Sequence, residues 1–163
     1  MNLNDFKSLF DQYYQGLKSF IYYKIGDIEA AEDIVQEVFL KLWDRRDKID
    51  MKTVKSFLFT IANNMSINHL KHRTIVFNFA RNGQSTSAAT SPQFELEMQE
   101  FKENLEKLLA AMPEKSRVVF LMNRIEKLTY NEIADRLGLS VKAIEKRMSN
   151  ALSFLRDNLN HPI

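Results

Sequence analysis

The residues best equipped for chemistry lie between Asn63 and Arg73, where Asn63, Asn64, Ser66, Asn68, His69, Lys71, His72 and Arg73 fall on the polar side of a helical repeat. Amides supply both donors and acceptors, and neighbouring cations neutralise phosphates, so this set suits unpaired nucleic-acid bases. A polar helix end approaching a connector has the same composition, and the residues alone do not separate the two. His69 and His72 stand at i, i+3, a spacing open to a metal, but no third ligand is evident, and Lys71 and Arg73 alongside suit phosphate or solvent better. No metal site and no cofactor are expected. There is no glycine-rich phosphate loop, no H-E-x-x-H and no nucleophile elbow, so the chain does not read as an enzyme.

A second polar face lies in LTYNEIADRLGLSVKAIEKRMSNALSFL, Leu128 to Leu155. Thr129, with Glu132 three residues on, has capping-box spacing, and Tyr130, Ile133, Ala134 and Leu137 recur along one face of a short helix. Gly138 suits the left-handed residue that closes such a helix. Leu139 can plug the corner, and Ser140 can cap a longer second helix. Val141, Ile144, Met148, Ala151, Leu152 and Leu155 mark the buried face of that second helix. Lys142, Ala143, Glu145, Lys146, Ser149 and Asn150 face the other way and suit phosphates and base edges in a major groove. An ordinary helical hairpin with a solvated charged face is the plain alternative. The cap, the glycine turn, the short first helix and the polar second helix together favour a helix-turn-helix.

The elements that must position these faces are helical. Asp5 to about Ile25 sets Phe6, Leu9, Phe10, Tyr13, Leu17, Phe20 and Ile21 on one stripe. Asp27 can cap the next helix, with Ala31, Ile34, Val35, Val38, Phe39 and Leu42 inward and Trp43 at its end. A third helix, about Thr53 to Arg73, repeats the pattern with Val54, Phe57, Leu58, Ile61, Ala62 and Met65. Asn78 to Gln93 exchanges that periodicity for Gly, Ser, Thr and Asn and is expected to be a flexible connector. Beyond it, Leu96, Phe101, Leu105, Leu108 and Leu109 mark a helix from Phe94 to Ala111. Pro113 then opens another, which buries Val118, Val119, Leu121 and Met122. The expected class is all-α, with two small helical domains: residues 1–77, a three-to-four-helix bundle, and residues 96–163, a four-helix domain, joined by a linker at 78–95.

Composition sets bounds around this reading. Of 163 residues, 45% are hydrophobic and 27% charged, which suits folded domains, and the net charge of +2 is too small to argue nucleic-acid binding by itself. Residues 1–77 hold 11 Lys and Arg against 10 Asp and Glu, and residues 96–163 hold the same, so neither half is a basic arm. The absence of cysteine excludes disulfides and Cys-ligated zinc or iron–sulfur sites and fits a reducing cytosol. No signal peptide is visible, and no apolar run reaches the ~18 residues of a membrane span. A cytoplasmic protein without direct membrane insertion is expected.

The second helix carries one further face. Asp33, Gln36, Glu37, Lys41 and Asp44 form a polar, partly acidic stripe beside the large apolar groups Phe39 and Trp43. It suits either a solvated surface next to core aromatics or a docking site for a partner helix, and Tyr13, Tyr14, Tyr22 and Tyr23 share that ambiguity.

Three segments, in this order, resemble the extracytoplasmic-function (group IV) sigma factors of the sigma-70 family of bacterial RNA polymerase. AAEDIVQEVFLKLW, Ala30 to Trp43, is similar to the family's core-binding region 2.2. VKSFLFTIANNMSINHLKHR, Val54 to Arg73, is similar to the promoter-melting regions 2.3 and 2.4. Met112 to Arg156 resembles region 4. The match covers almost the whole chain outside the linker.

The resemblance implies a transcription initiation factor that performs no chemistry itself. It implies that Asp33, Gln36, Glu37, Phe39 and Lys41 dock on the clamp helices of the polymerase largest subunit, with the flap region as a further contact. It also implies that Asn63, Asn64, Asn68, Lys71 and Arg73 engage the minus-ten element, Asn64 at a position that holds an extruded base. Lys142, Glu145, Lys146, Arg147, Ser149 and Asn150 would read the minus-thirty-five element as duplex. Glu145 departs from the arginine often found there; a carboxylate can accept from a cytosine amine or pair with a neighbouring lysine. An anti-sigma protein is the implied regulator. A stand-alone dimeric helix-turn-helix regulator, working without polymerase on a two-fold operator, is the rival expectation.

Overall fold

The computed structural model describes residues 1–71, 75–77 and 91–159. Among them it contains seven helices and no strand: α1 (Leu3–Ile25), α2 (Ile28–Asp44), α3 (Val54–Leu70), α4 (Pro92–Ala111), α5 (Glu114–Arg124), α6 (Tyr130–Leu137) and α7 (Val141–Leu159). The all-α class is as expected.

Local chemistry sets most helix ends. Asn2 and Asp5 form a capping box, 2.8 Å and 3.2 Å, that starts α1 earlier than the apolar stripe indicates. Gly26, at φ +77°, ends α1, and its N–H donates to the Tyr22 carbonyl at 2.8 Å. One residue on, the Asp27 carboxylate accepts from the Ala30 N–H at 3.1 Å and starts α2. α3 stops at Leu70, short of the expected Arg73, and His72 and Arg73 lie outside the described residues.

Helices α1, α2 and α3 pack on one another around Leu17, Ile21, Val35, Leu42, Leu58 and Ala62, all fully buried. The buried row of α3 is Val54, Leu58, Ala62 and Ser66, while Phe57, Ile61 and Met65 are half-buried. Ser66 therefore leaves the polar face assigned to it. Its hydroxyl donates to the Ala62 carbonyl at 2.7 Å, and this bond one turn back satisfies the group inside the core.

The second helical group comprises α5, α6, α7 and the C-terminal half of α4, around Leu109, Met112, Val119, Met122, Ile133, Ile144 and Met148. Two expectations change here. α4 begins at Pro92, with Ser91 capping it by accepting from the Phe94 N–H at 3.2 Å, so residues 92–95 of the expected linker are helical. Leu96 and Phe101 lie exposed together with Phe94 and Met98, because the first turns of α4 extend beyond the core that covers Leu108 and Leu109. Residues 78–90 of the expected linker lie outside the described residues.

The two groups pack against each other through α1, which has α2 and α3 on one side and α5 on another. Its last turns, Phe20 to Ile25, are buried all round, Lys24 included. Ile75 to Phe77 pass over the same end: a Cβ on Gly26 would come within 2.8 Å of the Val76 carbonyl oxygen. Gly26→Ala combines that clash with a left-handed residue and should cost at least about 1–2 kcal/mol, measured by chemical denaturation.

Candidate nucleic-acid and partner interfaces

On α2, Asp33, Gln36, Glu37, Lys41 and Asp44 are all exposed along one stripe, as the helical repeat requires. Phe39 does not share that surface. It is 2% exposed, with the rings of Phe6, Phe10 and Tyr14 at 6.1, 4.9 and 6.5 Å, so it stiffens α2 against α1 instead of touching a partner. Trp43 is half-buried against Phe6 at 5.1 Å, with the Arg46 guanidinium 4.2 Å over its ring. The residue the sequence reading missed is Leu40, 63% exposed in the middle of the stripe. Its signal was present: Leu40 falls off the row formed by Ile34, Val35, Val38, Phe39 and Leu42. A large apolar side chain ringed by charge is the composition of a contact surface more than of a solvated one.

On α3, Asn64 and Asn68 are exposed, and Lys71 is exposed just past the helix end. Arg73 lies outside the described residues. Asn63 differs from its neighbours. It is half-buried, and its Oδ1 accepts from the Lys24 ammonium at 2.6 Å. Lys24 in turn pairs with the Glu114 carboxylate at the start of α5 and sits 4.8 Å from the Phe20 ring centroid. A buried ammonium is thus satisfied from α3, α5 and an aromatic face together.

The helix-turn-helix forms as its spacing predicts. Thr129 Oγ1 accepts from the Glu132 N–H at 3.2 Å, and the Glu132 carboxylate accepts from the Thr129 N–H at 3.1 Å. The bond from the Thr129 backbone holds the Glu132 carboxyl below its usual pKa, with the Thr129 hydroxyl acting in the same direction. Gly138 closes α6 at φ +67°, Leu139 N–H donates to the Ala134 carbonyl at 3.0 Å, and Ser140 Oγ caps α7 by accepting from the Ala143 N–H at 3.1 Å. Lys142, Glu145, Lys146, Ser149 and Asn150 are exposed along α7, while Ile144, Met148 and Ala151 anchor it. Leu152, expected to be inward, is 39% exposed. An exposed polar face on a helix held from behind by a packed core fits a major groove.

Arg147 is the exception on α7. It is half-buried and lines a cleft of about 320 Å³ with Asn63, Ile67, Lys24, Glu114 and Leu139. The structure therefore brings Asn63 and Arg147, which come from the two different helical groups, to one cleft. It does not bring the α2 stripe to either of them. Among the described residues no three His, Asp or Glu side chains cluster as a metal site would, and no helix is long and apolar enough to cross a membrane.

Comparison with known proteins matches both helical groups to known families. Residues 9–75 match the family described as Sigma-70 region 2, and residues 102–155 match Sigma-70, region 4. The ferric citrate uptake sigma factor FecI of Escherichia coli K12 is 27% identical over 90% of this chain and 86% of its own length. The ECF RNA polymerase sigma factor SigW of Bacillus subtilis 168 is 22% identical over 94% of this chain and 88% of its own. Among solved structures, the sigma factor RpoE in complex with the anti-sigma factor NepR from Bartonella quintana shares the fold, with a TM-score of 0.57 and 22% identity over 99% of this chain and 100% of that one.

The cap geometry carries a test. Thr129→Ala should cost about 1 kcal/mol of stability by denaturant unfolding. It should flatten the acid limb of the pH–stability curve only slightly, because alanine keeps the backbone N–H that is the larger cause of the depression and loses the hydroxyl alone: a carboxyl with a depressed folded pKa contributes stability above the usual carboxylate range and loses it as pH falls through the folded value.

Proposed function

We propose, from the premise that the chain belongs to the sigma-70 family and stands among its extracytoplasmic-function sigma factors, a division of labour between its exposed faces. The protein binds core RNA polymerase and directs promoter-specific initiation. The observation that carries this is the order of the two matches, region 2 and then region 4, each coinciding with one helical group that bears its own exposed polar face. The chain supplies binding and positioning, while phosphodiester synthesis belongs to the polymerase. It works in the cytoplasm, with core polymerase.

The α2 stripe is the polymerase-docking surface, with Asp33, Gln36, Glu37 and Lys41 as its charged and polar contacts and Leu40 as its apolar centre, facing the clamp helices of the largest subunit. The second helical group adds a contact with the flap region. Asn64 and Asn68, with Lys71 and Arg73, handle the minus-ten element. Taking a base out of the stack costs a few kcal/mol, and amide hydrogen bonds offset part of that while distinguishing one base edge from another. Lys142, Glu145, Lys146, Ser149 and Asn150 read the minus-thirty-five duplex from α7, joined by Arg147 once it is free of the cleft. An anti-sigma protein that covers the α2 stripe is the natural regulator; the RpoE of Bartonella quintana, which shares the fold, is itself found in complex with the anti-sigma factor NepR.

These assignments are separable by experiment. Glu37→Lys and Leu40→Ser should each weaken binding to purified core polymerase by more than about tenfold, the scale of a reversed charge or lost apolar anchor in an interface. Asn64→Ala should leave core binding intact and slow promoter opening. Lys146→Ala should weaken duplex binding across sequences and lower the salt slope by about 1. Equal loss of core affinity in all four would contradict the division. Tight dimeric operator binding without polymerase would overturn the reading itself.

A further inference from the structure

Glu145 is the one carboxylate on α7 ahead of Asp157, and it stands in an exposed row whose other members, Lys142, Lys146, Ser149 and Asn150, are cationic or neutral. Its direction is fixed from behind. Ile144 and Ala151 at 0% and Met148 at 2% exposure hold the opposite side of the helix against the core, and the Ser140 cap sets where the first turn begins. Arg147 is turned away from this row, toward the seam between the two helical groups. Among the described residues Glu145 forms no ion pair and no side-chain hydrogen bond, and neither do Lys142 and Lys146. The spacing accounts for this. A glutamate on a helix pairs best with a cation one turn C-terminal to it, but Met148 and Ser149 occupy those places, and Lys142 precedes Glu145 in the weaker order. On α6, by contrast, Glu132 serves its own N-cap and Asp135 pairs with Lys55 at 3.7 Å. No contact within the fold accounts for a carboxylate at position 145.

Facing duplex DNA, such a group has a narrow choice. Phosphates repel it, so against the sugar–phosphate track a carboxylate only weakens binding. In the major groove guanine presents N7 and O6 and thymine presents O4, acceptors that a carboxylate cannot satisfy. Adenine sets its N6 amine beside the N7 acceptor, a pair that suits an amide, which both donates and accepts. Cytosine alone presents an amine donor, N4, with no acceptor next to it. Glu145 is therefore matched to one base of the four.

We propose that Glu145 is the base selector of the helix-turn-helix: its carboxylate accepts a hydrogen bond from a cytosine N4 amine in the minus-thirty-five element and rejects the other three bases at that position, while Lys142 and Lys146 hold the flanking phosphates. The inference rests on the reading of α7 as the duplex-reading helix and adds the base that this helix selects. Of the two uses open to the carboxylate, pairing with a neighbouring lysine is the one the fold does not take up. Affinity and selectivity then reside on different side chains. The lysines bind any sequence, whereas Glu145 lowers affinity for every sequence except one with cytosine in register. Removing its charge should strengthen binding to random duplex and, at the same time, erase discrimination at one base pair. A lost structural contact gives neither change, and a lost solvated charge gives only the first.

The test uses holoenzyme reconstituted from purified core polymerase and the full-length chain, mixed with a pool of random-sequence duplex DNA from which bound molecules are recovered and sequenced. Wild type should enrich a site with cytosine at one position of the minus-thirty-five element, by at least about fivefold over any other base there, the scale of one specific base contact. Glu145→Ala should bring the four bases at that position within about twofold of one another and leave the other positions unchanged. Glu145→Gln should move the preference at the same position to adenine, whose N6 and N7 pair with an amide. Both variants should bind random duplex more tightly than wild type at low salt, whereas Lys146→Ala should bind it more weakly with its base preferences intact. Glu145 is exposed, so these variants keep the fold, which unchanged circular dichroism and core binding verify. Cytosine preference retained in Glu145→Ala, or a wild-type site without cytosine at the position the variants alter, would overturn the selector role and leave the sigma-factor reading standing. Wild-type holoenzyme that enriches no two-part site would sink that reading, and the selector with it.

Discussion

Two helices from different halves of this chain end on the same guanidinium, and much of the structure depends on that coincidence. The C-terminal carbonyls of α1 and α4 are groups that folding leaves unpaired, and burying them unsatisfied costs more than a hydrogen bond returns. Arg117 meets both requirements with the planar fork that lysine lacks. Burial lowers its pKa from the ordinary value, with Glu114 opposing the shift, and the side chain remains a cation because that value starts so high. Around it the chain closes: Gly26 lets Ile75 to Phe77 cross the end of α1, and Phe77 covers the socket.

From this centre the candidate surfaces sort by which way they face. The α2 stripe and the outer face of α7 are turned away from the seam and are exposed whether or not the two groups are joined. Asn63 and Arg147 are turned toward it. The α2 stripe is therefore open to a partner while the two groups are packed together, whereas Asn63 and Arg147 share the cleft between them.

What the sequence made legible was local. The capping box of Thr129 and Glu132, the left-handed Gly138, the Asp27 cap and the exposed polar row of α7 each depend on residues within two turns of one another, and each is where spacing put it. What it hid depends on the other half of the chain. Arg117 and Lys24 look like surface cations until α1 and α5 are packed together, and Ser66 looks polar until its row is the one that faces α1 and α2. Phe39 and Leu40 show the same limit at closer range. Both are apolar neighbours on α2, but only their register against α1 decides that the first is core and the second is surface. The exposed Leu96 and Phe101 of α4 are the converse, a helical stripe whose apolar part outruns the core beneath it.

The central claim is that this chain gives core polymerase the ability to open a specific promoter, and strand opening reports on it most directly. Permanganate footprinting of unpaired thymines on promoter DNA, with purified core polymerase and the full-length protein, should show reactivity confined to the minus-ten region only when both are present. Reactivity with core polymerase alone, or its absence together with protection of a two-fold duplex site by the protein without polymerase, would contradict the account.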